Sequence, residues 1–138
     1  MRSTKLGPLL FFTLMVLMTV HVQAHHAFST EFDSSHPVSF KGTVAKVELI
    51  NPHSWIHIVV VDASGASVTW MIEGGSPNAL VRRGVTKASI PVGSELSVTG
   101  YQARDGSNKA VGRDIAFADG RTLFFEGSRA PGASVTSP

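Results

Sequence analysis

Glu73-Gly74-Gly75-Ser76-Pro77-Asn78-Ala79-Leu80-Val81-Arg82-Arg83-Gly84 is the stretch on which the fold turns. The paired glycines end the apolar run before them. Ser76 followed by Pro77 is the chemistry of a helix start. The serine oxygen can accept a free backbone N–H, and proline is tolerated at a first helical position that has no N–H partner anyway. The spacing predicts a short helix over Asn78 to Arg83. Arg82 and Arg83 complement its negative C-terminal end, and Gly84 supplies the stop.

Moving toward the N-terminus, Val68 to Glu73 alternates as a strand, with Val68, Trp70 and Ile72 on one face and Met71 and Glu73 on the other. Asp62-Ala63-Ser64-Gly65 is turn chemistry. Trp55 to Val61, nearly all apolar, is the other arm of a hairpin. Asn51-Pro52 interrupts the ladder before it. Val38 to Leu49 reads as a long first strand. Phe40, Gly42 and Val44 share one parity there, and Val47 and Leu49 take the other. Such a switch requires a bulge or strong coil around Ala45.

Toward the C-terminus, Pro91-Val92-Gly93-Ser94 turns into a strand over Glu95 to Tyr101. The loop Arg104 to Asn108 leads to Val111–Phe117, and Asp119-Gly120 leads to a last short strand at Thr122–Phe125. Strand, strand, strand, short helix, strand, strand is the order of a five-stranded Greek-key OB barrel. The expected fold is therefore all-β: an OB-like barrel of five to six strands with one short helix between strands three and four. A six-stranded sandwich or open barrel without OB relationship is the alternative.

The flanks define the domain as residues 38–126. Residues 1–24 read as a secretory signal. Arg2 and Lys5 make the positive start, Leu9 to Val20 is a twelve-residue run of apolar residues and threonine, and Val22-Gln23-Ala24 ends in a cleavage pattern. Twelve residues fall short of the roughly 20 that span a bilayer. Cleavage after Ala24 delivers the chain to the periplasm. Residues 25–37 form a mature N-terminal arm carrying Phe28 and Phe32, and residues 127–138 read as a disordered tail.

Losing Arg2 and Lys5 changes the charge balance from twelve basic against ten acidic residues to ten against ten. A neutral domain without a basic run lacks the footprint of nucleic-acid binding. Absence of cysteine removes disulfides, thiolate metal sites and thiol nucleophiles alike. No Gly-x-Ser-x-Gly elbow is present. No catalytic residue is assigned, and the reading leans away from an enzyme.

The histidines are the remaining signal. All five that follow the signal lie between His25 and His57. In an extended segment His53, Trp55 and His57 project from one face, so the two imidazoles flank the indole. Cleavage makes His25 the first residue. Its α-amine and imidazole can chelate one ion, His26 adds a second imidazole, and His53 or His57 completes a nitrogen set of the kind that suits Cu(II). The metal candidates are His25, His26, His53 and His57. The plain alternative is that His57 packs on the barrel and His53 caps the turn. Glu73 is a desolvated carboxylate that could ligate beside a histidine, or an ordinary partner of backbone N–H groups or of Arg82 or Arg83. Trp55, Glu73 and Tyr101 form the candidate ligand or partner face. Trp55, Trp70 and Tyr101 also have the makings of a stacking platform for single strands, but neutral charge and export argue against nucleic acid and favour core packing.

His25-His26-Ala27-Phe28, Lys41-Gly42-Thr43-Val44, Asn51-Pro52-His53-Ser54-Trp55, the Glu73–Leu80 run, Arg82-Arg83-Gly84 and Asp105-Gly106-Ser107 occur together after a signal peptide. In this the chain resembles an uncharacterised family of small exported proteobacterial proteins, over His25 to about Phe124. It departs from the pattern at Val85, where the resemblance leads one to expect tryptophan. The resemblance implies a shared fold and a periplasmic location, and supplies no catalytic residues. Two functions follow as expectations: a non-enzymatic periplasmic copper-binding domain, or a module binding a small ligand or envelope protein without metal.

Overall fold

The computed structural model describes residues 30–125. Six strands, β1 Phe32–Ile50, β2 His53–Val61, β3 Ser67–Gly74, β4 Glu95–Ala103, β5 Lys109–Phe117 and β6 Thr122–Phe124, carry most of these residues. A six-residue helix, α1 Pro77–Arg82, and a 3₁₀ turn, Lys87–Ser89, lie between β3 and β4.

The neighbour order is β3-β2-β1-β4-β5-β6, and β3 also pairs with β5. That last contact is parallel while the others are antiparallel. It closes β1 to β5 into an OB-like ring, with β6 extending β5 outside the circuit. The expected fold class and helix position are what the structure shows.

Ring closure needs a first strand that serves two neighbours. β1 is nineteen residues long and pairs with β2 through its second half and with β4 through its first. The register between β1 and β2 shifts between Val44 and Lys46, so the parity switch read at Ala45 is a real irregularity. Inward-facing Val44, Ile56, Ile58, Ile72, Leu96, Val98 and Ile115 are each at most 1% exposed. Leu80 of α1 joins the same cluster, as do Val85, Ile90 and Phe125. Helix α1 forms as its sequence dictates. The Ser76 hydroxyl accepts from the Ala79 N–H at 3.3 Å, Pro77 opens the helix, and Gly84 follows at φ +78°.

β1 begins at Phe32, six residues earlier than the sequence suggested, so half of the expected arm is strand. The polar run Asp33-Ser34-Ser35-His36 looks like loop, yet its own side chains order it. The Asp33 carboxylate accepts from the Ser35 N–H and hydroxyl and contacts His36 and Arg104. The serine contacts, first among these, hold its pKa down to about 2. Phe32 then buries against Ala103 and Val111, with Tyr101 packed beside them. Phe28, the other aromatic assigned to pinning the arm, lies outside the described residues.

Candidate functional site

The site is built on the outer face where β1, β2 and β3 lie side by side. Along β2, Ser54, Ile56 and Ile58 are buried while His53, Trp55 and His57 point outward, as period two requires. Hairpin geometry supplies the neighbours. The Asn51-Pro52 loop, whose peptide bond is cis, sets Ile50 opposite His53 and therefore Glu48 opposite Trp55 and Lys46 opposite His57. The Asp62–Ala66 turn sets Glu73 opposite Trp55 from the other side. The indole thus has a cross-strand carboxylate on each flank. Glu48 was not singled out from the sequence. Counting back from the two-residue loop is the signal that finds it.

A concavity of about 420 Å³ opens here, lined by Glu31, Glu48, Ile50, Asn51, Pro52, His53, Trp55 and Glu73. Glu31 immediately precedes β1. Its carboxylate meets the Lys109 ammonium at 3.0 Å, and its carbonyl accepts from the Arg104 N–H at 2.9 Å. Lys109 also holds Nζ 5.5 Å from the Trp55 ring centroid, within cation–π range.

The two histidines separate. His53 lines the concavity, with Nδ1 2.5 Å from Glu73 Oε1. That approach is a close imidazole–carboxylate contact. His57 Nε2 instead lies 2.6 Å from Glu48 Oε2, and the other Glu48 oxygen takes Lys46 Nζ at 2.7 Å. Lys46 and, after it, His57 hold the Glu48 carboxyl below its ordinary range.

Glu73 behaves oppositely. Its residue is 3% exposed. Burial pushes its pKa up, and nearby Glu31 adds to the rise, against the opposing influence of His53 and Lys109. Its partner is His53, and not Arg82 or Arg83 as one sequence reading had it. Those arginines sit at the end of α1, while the register of β2 on β3 brings His53 across.

A carboxyl with a raised folded pKa gives stability that is fully present below the unfolded value, about 4.3, and lost as pH climbs through the folded one. Glu73→Gln removes that loss. The variant is expected to melt above the parent at about pH 8, with the advantage disappearing at about pH 3.5. Thermal melts at both pH values decide it; a larger gain in acid contradicts the sign.

Trp55, Trp70 and Tyr101 do not form a platform; Trp70 and Tyr101 pack against the core clusters, the use the sequence favoured. Trp70 faces the other side of β3 and packs on Phe40 in a tilted pair, ring centroids 4.8 Å apart. Tyr101 belongs to the Phe32 cluster and lines a separate groove with Pro37, Val38, Thr99 and Arg113. Of the predicted ligand face, Trp55 and Glu73 share one concavity and Tyr101 does not. His25 and His26 lie outside the described residues. Among those described, no three His, Asp or Glu side chains gather as a group able to hold a metal ion, and no helix is long and apolar enough to cross a membrane.

Residues 14–113 match the model of a family described only as being of unknown function. No curated protein matches the chain.

Proposed function

We propose, for a chain that belongs to the DUF6152 family and inherits no assigned activity from it, a non-enzymatic metal-binding role in the periplasm, with Cu(II) as the ion. The observation that supports this reading is that Glu31 and His53 line one concavity. The chain ahead of Glu31 is tethered at that rim. His26 is five residues upstream, a span of at most about 17 Å when fully extended. A linker of that length is long enough for the α-amine and imidazole of His25 and the imidazole of His26 to share one ion with the His53 ring. Glu73, in contact with the His53 ring, is placed to orient that imidazole toward an ion.

His57 has a smaller part. Its Nε2 is taken by Glu48, and it is not among the residues lining the concavity.

A Cu(II) titration of protein recovered from the periplasm tests the reading, with the N-terminus confirmed by intact mass. An otherwise identical protein with one extra Met before His25 is titrated beside it. We expect one-to-one binding weakened at least about tenfold by the extra residue, about 1.4 kcal/mol or more, and by a similar factor in His53→Ala. His57→Ala is expected to lose much less. Equal, weak binding by the native and extended forms removes the N-terminal histidine from any site.

A further inference from the structure

We propose that the same concavity is a receptor for a primary alkylammonium group, with Trp55 as its aromatic wall and Glu48 and Glu73 as counter-charges. This goes beyond the metal reading and does not depend on it.

Size is the first argument. A volume of about 420 Å³ far exceeds what a single ion fills and lies in the range of small-molecule sites. The lining is the second. Ile50, Pro52 and Trp55 supply apolar surface, and Ile50 is 64% exposed, an apolar side chain left in water at the rim. Beside them sit Glu31, Glu48, Glu73 and His53. An aliphatic tail with a cationic head matches that mixture.

Charge is the third. Three carboxylates surround the concavity, and two ammoniums, Lys46 and Lys109, contact them. Lysine contacts therefore cover two of the three carboxylates. Glu73 is the carboxylate without a lysine contact. It is more than nine-tenths buried, and among the described residues its one close charged or titratable contact is the His53 ring.

The mode of recognition is already displayed inside the molecule. The Lys109 ammonium is held between the Glu31 carboxylate and the Trp55 ring. It lies outside the set of lining residues, so the concavity is left for a second ammonium. Cation–π attraction of this kind strengthens as water is excluded, and a neighbouring carboxylate supplies the counter-charge.

The head group could belong to a free amine or to a lysine side chain of another protein. Isothermal titration of the full mature protein at low salt, with a chelator present to exclude metal, separates these sources. The probes are n-butylammonium, Nα-acetyl-lysine methylamide and, as the uncharged control, n-butanol. Saturable binding of an amine is expected, with no binding of butanol. A preference for the lysine derivative points to a protein-borne group, and a preference for butylammonium to a free amine. Trp55→Leu and Glu73→Gln are each expected to weaken binding roughly tenfold. Glu48→Gln serves as the second charge variant should Trp55→Leu fail to fold. No saturable amine binding, equal binding of butanol, or unchanged affinity in the folded variants overturns the proposal. Because the chelator removes copper, failure here leaves the metal titration standing, and the reverse.

Discussion

Gly100→Ala is expected to cost about 3 kcal/mol or more, a large share of the stability of a small domain. Gly100 lies on β4 opposite Gly112 of β5, where the pairing register shifts between Thr99 and Gly100. A Cβ built there would run into the backbone carbonyl oxygen of Val111, with the Val111 carbonyl carbon at 3.1 Å behind it. The obstacle is main chain on a central strand. It cannot rotate aside as a side chain would, so relief requires β4 and β5 to part. A urea titration followed by far-UV circular dichroism reads the loss. A change below about 1 kcal/mol would show that the two strands separate cheaply at this point.

Ile72→Ala is expected to cost about 3–4 kcal/mol by deleting three carbons from a site with no exposure. Ile72 pairs with Ile56 on one side and Ala110 on the other. A Cβ at Gly112 would sit 2.7 Å from its Cγ2, so the space around it is already filled by backbone. Strands pinned on both sides collapse poorly onto a void. The matching control is Val61→Ala, 65% exposed at the end of β2, which is expected to stay within about 0.5 kcal/mol of the parent. Similar losses at the two sites in the same urea series would mean that burial does not govern stability here.

Local chemistry made much of this molecule legible from its residues. Ser76-Pro77 and Gly84 set the ends of α1 because caps depend on neighbours in the chain. The parity change between Val44 and Val47 gave the bulge because alternation is a local count. What stayed hidden depends on partners far away in sequence. The Asp33–Pro37 run is polar and contains proline, and its strand path is set by the β4 pairs that bracket it, Phe32 with Ala103 and Pro37 with Tyr101. Glu73 has arginines nearby in the chain, yet its partner is twenty residues upstream at His53. That contact follows from hairpin register, and no composition rule expresses it. The shared outward parity of His53, Trp55 and His57 was legible for the opposite reason, since it needs only the alternation of one strand.

The ring is fastened by a short latch. β3 meets β5 through three residue pairs, Met71 with Lys109, Ile72 with Ala110 and Glu73 with Val111, whereas β2 and β3 share eight. Breathing of the ring should therefore begin at this latch, and the β5 amides directed at β3 should exchange faster than those in the middle of β2. Glu73 and Lys109 are part of the latch and also border the concavity or its aromatic wall. A molecule that grips Glu73 holds the latch shut, so occupancy is written into exchange rates on a strand it does not touch.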